Sequence, residues 1–269
     1  KGIELLAKIA LPALFVFALI LVIRVATIGT PDPVNNPDWS VAKGFAFLWN
    51  PNFSMLGDAK IWLAAAGQVF FTLSVGMGTL HAYASYVKPK DDIVLSGLAT
   101  AGLNELAEVV LGAVIAIPVA VAFFGLDVTK EIAAGGSFNL AFVSMPIIFQ
   151  KIPFGEIFGF FWFFLLFFAG ITSTVAMAQP LISFLKERFK LSHNKATAYI
   201  GIFAFICLHF VFFFFQYGVL DEMDYWAGTF VLVVIALVEV VIFGWMFGME
   251  KGWKEINMGA DIKIPTIFK

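Results

Sequence analysis

The chain has 269 residues, of which 61% are hydrophobic, 17% aromatic and only 13% charged. A water-soluble domain of this size could not keep so much apolar surface covered, so soluble classes are excluded and an all-α integral membrane protein is expected. The formal net charge of −2 offers nucleic acid no basic footprint, and a single cysteine, Cys207, excludes an intrachain disulfide.

Six apolar segments reach the roughly 20 helical residues needed to cross a hydrocarbon layer. They run over about 3–28, 60–86, 92–124, 156–185, 196–216 and 224–249. Between the first two lies a Pro-, Asn- and Asp-rich loop (TPDPVNNPD), a composition that favours turns. The connection over 126–153 holds an apolar stretch, FNLAFVSMPIIF, interrupted by Gly135, Gly136 and Pro146; too short to span, it reads as an extracellular helical hairpin. The tail 250–269 mixes polar and spaced apolar residues, as a cytoplasmic interfacial helix does. Lys1, Lys88, Lys90, Lys186, Arg188, Lys190, Lys195, Lys251, Lys254, Lys263 and Lys269 are eleven of the seventeen Lys and Arg, and all fall on one side. By the positive-inside rule that side is cytoplasmic, which puts both ends of this multi-pass chain there in a cell membrane. The chain starts at Lys1 with no cleavable signal and reads as a piece of a longer protein.

Polar groups deep in such helices are costly unless they pair or line a cavity. In GQVFFTLSVGMGTL, Gln68, Thr72 and Ser74 sit among Gly67, Gly76 and Gly78 near the middle of the second span. Each glycine lowers helix stability by roughly 1 kcal/mol relative to Ala, so the helix either breaks here or packs closely through its small residues. Asn104 and Glu108 lie four apart on one face of the third span. That helix is roughly 47 Å long with Glu108 at its middle, where a carboxylate serves function or stays neutral as a hydrogen-bond donor. Thr172, Ser173 and Thr174 occupy the centre of the fourth span, where hydroxyls commonly bond back to their own helix. Together these form an all-oxygen set suited to a hard monovalent cation, without the Cys or His of zinc, copper or haem sites. His81 and His209 lie singly on apolar helices and read as packing or surface residues.

Taken in order, KGIELLAKIALP, GQVFFTLSVGMG, YASYV, LNELAEV, FFLLFFAGITS, LDEMDYWAGT and KGWKEIN resemble the neurotransmitter:sodium symporter family across essentially the whole chain. The resemblance implies an inverted-repeat fold of twelve helices, with the six transmembrane helices present here as its helices five to ten. It implies sodium-coupled symport that imports a neutral, apolar amino acid by alternating access. Sodium ions, the amino acid and the lipid bilayer are the implied partners, and the family admits a homodimer.

By position, the resemblance gives the substrate Phe71, Thr72, Ser74, Met77, Ser173 and Met177, with Phe71 in the lid. One sodium site takes Thr72 and Asn104, and a second takes Ala169 through its carbonyl with Thr172 and Ser173. Gln68 and Glu108 form an anion or proton site; Asp224 corresponds to an outer gate, Tyr86 and Glu187 to an inner one. Glu187 is one methylene longer than the aspartate of a bacterial relative. Met77 and Met177 replace a Phe and an Ile, and flexible methionines accept varied apolar side chains. The alternative is an ion channel or pore subunit, which saturable sodium-dependent substrate binding would exclude. An enzyme is disfavoured, since no nucleophile, His pair or metal cluster sits at membrane depth.

Overall fold

The computed structural model describes every residue except Lys1, Gly135, Ser137, Lys263 and Lys269. Lys1, Lys263 and Lys269 of the basic side, and Gly135 of the hairpin, therefore lie outside the described residues. The described residues are mostly helical. Among them, five helices are long and apolar enough to cross a membrane: Leu5–Ala26, Ile93–Phe124, Gly155–Phe189, His193–Phe213 and Val219–Met258. The stretch expected as a span over 60–86 is instead two helices, Ala59–Thr72 and Thr79–Ala84, each too short to cross alone.

In chain order the helices are α1 Gly2–Ala26, α2 Val41–Trp49, α3 Ala59–Thr72, α4 Thr79–Ala84, α5 Ile93–Phe124, α6 Leu126–Ala134 and α7 Asn139–Phe149. They continue with α8 Gly155–Phe189, α9 His193–Phe213, α10 over residues 219–248 and α11 Met249–Met258. The last two are divided at Gly248, whose φ of 96° turns the chain out of helical geometry. The tail thus begins as a helix of its own. Wide π turns interrupt α5 over Leu106–Ala113 and α10 over Asp224–Phe230 and Ile242–Gly248. Such turns concentrate at functional sites and leave no mark in the hydrophobic period.

By its internal contacts the chain divides into two compact units, one of residues 1–52 and 105–174, the other of 53–104 and 175–269. In the first, the second half of α5 is the enclosed element: Ile115, Val119 and Ala122 are buried among Leu21 of α1, Met145 and Ile148 of α7, and Trp162 of α8. Lipid is as apolar as these side chains, so close fit and polar contacts hold the helices. Gly44 of α2 lies against Pro118, where a Cβ would stand 2.3 Å from the proline Cα, so this approach requires glycine. The Trp162 indole N–H donates to the carbonyl of Ala141 at 3.0 Å, and Phe17 of α1 meets Phe161, Phe164 and Phe168 of α8.

In the second unit α3 and the segment after it run along α10. Gly67 faces Thr229, where a Cβ would come within 2.6 Å of the threonine methyl. At the other end, Asp92 caps the start of α5 by accepting from the Val94 and Leu95 amides. The same carboxylate accepts from the Asp261 amide at 2.8 Å, tying the tail beyond α11 to the turn before α5.

Candidate functional site

The expected interruption of the second span lies between Thr72 and Thr79. Leu73 still donates to the carbonyl of Val69, but Ser74 donates to Phe71 and Val75 to Phe70, and the regular ladder stops. Ser74, Gly76 and Gly78 have φ of 57°, 78° and 74°. Only glycine enters this left-handed region without cost, so Ser74 holds its place at about 1 to 3 kcal/mol of local strain. The break ends the regular ladder of α3 and leaves the first amides of α4 as helix-end groups. Thr79 Oγ1, at the start of α4, is buried with no hydrogen-bond partner among the described residues. Beside the break, the Gly76 backbone approaches the carbonyl of Leu232 and the side chain of Ile235, so α10 backs the opened segment.

Thr72, the last residue of α3, meets Asn104 of α5. The Asn104 amide donates to Thr72 Oγ1 at 2.9 Å, and Thr72 Oγ1 lies 3.2 Å from Asn104 Oδ1. Two neutral oxygens are thus held together at the edge of the break, a pair that could contribute to an all-oxygen cation site. Both residues are half-buried, as are Ser74 and Met77 in the break, whereas Phe71, Gln68 and Met177 are more exposed.

Asp224 opens the first π turn of α10. Its carboxylate oxygen lies 2.9 Å from where a Cβ on Gly228 would sit, and the Phe71 ring lies 3.6 Å from the same point. The aspartate expected at the outer gate and the phenylalanine expected in the lid therefore adjoin one glycine. Tyr86, just beyond α4, accepts at its hydroxyl from the Gln179 amide of α8 at 3.2 Å. Glu187 is exposed near the end of α8.

In the first unit, the Thr172 hydroxyl lies 2.8 Å from the carbonyl of Phe168 and 3.0 Å from that of Ala169. Thr174 makes the same back-bond to Gly170. The Ala169 carbonyl and Thr172 hydroxyl are thereby brought together, with exposed Ser173 one residue on. Glu108 is half-buried inside the π turn of α5.

Sequence reasoning passed over Glu239 of α10, which the structure pairs with His81 of α4 at 3.9 Å. An isolated acid in LVVIALVEVV was the available signal. His81 is exposed, as a surface residue is, and the His209 ring meets the carbonyl of Phe205 on its own helix.

The chain spans 53% of an uncharacterized sodium-dependent transporter of Methanocaldococcus jannaschii, to which it is 30% identical over 271 residues covering 100% of this chain. It is 23% identical to a sodium- and chloride-dependent GABA transporter of Drosophila melanogaster, again over 100% of this chain and over 28% of that protein. The crystal structure of MhsT in complex with L-phenylalanine superposes with a TM-score of 0.78 at 29% identity, covering 97% of this chain and 57% of that one. Residues 1–269 match the profile of the sodium:neurotransmitter symporter family, and by that match over its full span this chain belongs to it.

Proposed function

We propose that the chain forms part of a sodium-coupled symporter that imports a neutral, apolar amino acid by alternating access. The observation that carries this reading is the break between Thr72 and Thr79, with Thr72 and Asn104 hydrogen-bonded at its edge. A backbone opened at membrane depth is tolerated where it binds a ligand, and an amino acid brings the charged groups that helix ends can meet. Thr72 Oγ1 and Asn104 Oδ1 contribute to one sodium site; the Ala169 carbonyl with the Thr172 and Ser173 hydroxyls contributes to a second. Phe71, Met77 and Met177 bound the substrate side chain, and an apolar wall of this kind selects against polar substrates. Ser74 and Ser173 offer hydroxyls to the polar part of the substrate. Asp224 and Phe71 close the outer side, and Tyr86 and Glu187 the inner side, which with both ends of the chain is cytoplasmic. Glu108 supplies a fixed negative charge.

The structural neighbour bound to L-phenylalanine supports an apolar amino acid as substrate. Uptake by the full-length protein in proteoliposomes tests the reading. Labelled alanine, leucine, methionine and phenylalanine are offered under an inward sodium gradient and under an equal potassium gradient. Accumulation of at least one under sodium alone is expected; uptake indifferent to sodium, or of none of the four, overturns it.

A further inference from the structure

Thr79, the first residue of α4, is 3% exposed, and its hydroxyl has no hydrogen-bond partner among the described residues. A buried hydroxyl left unsatisfied is costly, and native structures rarely keep one without a partner such as an internal water. Other helical threonines of this chain avoid that cost locally. Thr100, Thr129, Thr172 and Thr174 each donate to the carbonyl four residues back. Thr79 has no such recourse, because the residue four before it, Val75, lies in the break where the helical ladder has stopped.

A carbonyl in the complementary position lies on α8. Pro180 inside that helix has no N–H, so the Ala176 carbonyl one turn earlier lacks the donor that would continue the ladder. The Pro180 ring is also what meets the start of α4: a Cβ on Gly78 would stand 3.6 Å from Pro180 Cβ and 3.9 Å from its Cγ. Thr79 is the next residue along, and Thr79, Ala176 and Pro180 belong to the same compact unit. Hydroxyl and carbonyl thus flank one contact, each deprived by its own backbone of the partner it would ordinarily have. The polar groups around them are engaged elsewhere. The Gln179 amide donates to the Tyr86 hydroxyl, and the Leu232 carbonyl beside Gly76 lies within the regular helix Val231–Val241.

We propose that one buried water joins these two groups, accepting from the Thr79 hydroxyl and donating to the Ala176 carbonyl, and so fastens the start of α4 to the proline turn of α8. A water held by two or more protein groups in a polar niche is an integral part of a fold, and its bonds are nearly as good as direct ones. The site gives α4 an anchor that does not pass through the break. The short helix keeps its place on α8 although its backbone link to α3 is opened. The water site goes beyond the symport reading and does not depend on it.

The test uses the full-length protein in detergent. Thr79→Val keeps the shape of the side chain and removes the hydroxyl, whereas Pro180→Ala returns a helical N–H to the Ala176 carbonyl. Thr79→Val is expected to lower the midpoint of thermal unfolding by about 1 to 4 °C. In the Pro180→Ala background the same change is expected to lose most of its effect, because the carbonyl then has a donor of its own and the two substitutions are coupled. A Thr79→Val variant as stable as wild type, or more stable, marks a hydroxyl with nothing to bind and overturns the proposal. An equal loss in both backgrounds overturns it too, since the partner is then not the Ala176 carbonyl. If Pro180→Ala does not fold, a crystal structure of the full-length protein at a resolution that shows ordered water decides. Water density within about 3.2 Å of both Thr79 Oγ1 and the Ala176 oxygen supports the site, and a dry contact there overturns it.

Discussion

Asn104 and Thr72 lie 32 positions apart in sequence, yet their side chains meet twice, the amide of one donating at 2.9 Å to the hydroxyl of the other. The contact fixes the end of α3 against α5 where the backbone opens.

If these oxygens coordinate sodium, Asn104→Ala removes one ligand and the partner that orients the other. The expected loss is about 1 to 3 kcal/mol, or roughly 5- to 150-fold in the sodium concentration giving half-maximal uptake. Sodium titrations of uptake by the complete transporter decide this. An unchanged sodium dependence would remove Asn104 from the site.

Met77 is half-buried in the break and is assigned to the substrate wall. Met77→Phe stiffens and fills that wall, so selectivity is expected to move toward smaller aliphatic side chains. A change of shape fit in an apolar pocket is worth about 1 to 3 kcal/mol, which shifts preference without abolishing uptake. Competition by alanine, leucine, methionine and tryptophan provides the measurement, and an identical profile in the variant contradicts the assignment.

Glu108 places a carboxylate in the π turn of α5, one turn beyond Asn104. Transport is expected to need no chloride, because the protein carries the negative charge that balances sodium. Glu108→Ser is expected to create chloride dependence. Uptake in gluconate with and without added chloride checks both statements, and wild-type uptake that fails in gluconate refutes the first.

At Gly44 the fit is steric. Gly44→Ala forces a methyl group to within 2.3 Å of Pro118 Cα, so the helices must part. Overpacking of this kind costs about 1 to 3 kcal/mol, and the variant is expected to unfold at lower temperature in detergent. Sodium affinity of the surviving folded fraction should not change.

Outside the spans, the Leu95 amide, followed by that of Asp261, holds the Asp92 carboxyl below its usual range. A carboxylate with a depressed pKa stabilises the fold above its unfolded value, about pH 4, and loses that contribution as pH falls through the lower folded value. The tail is therefore expected to stay docked at neutral pH and to loosen only in acid. Hydrogen exchange over residues 259–262 measures it. Asp92→Asn should free the tail already at neutral pH, and a variant tail as protected as that of wild type would show that the carboxylate does not hold it.

The sequence by itself determined the membrane class, because no soluble surface could cover so many apolar side chains. It also marked the run around Ser74 as one where the helix either breaks or packs closely, since the glycines there weaken any helix. The motifs likewise located Thr72, Asn104, Thr172 and Asp224 as residues of interest. Tertiary structure decided what local pattern cannot carry. That Thr72 meets Asn104, and that Phe71 and Asp224 share Gly228, depends on how separate helices pack. The π turns around Glu108 and Asp224 arise from an extra residue in the helical ladder, which hydrophobic periodicity does not register. His81 read as an isolated polar residue on an apolar helix and Glu239 was passed over; only the fold of α4 against α10 brings them within 3.9 Å. Side-chain pairing across long sequence separations is set by packing, and packing is the part of the energy that a linear pattern of apolar and polar residues leaves out.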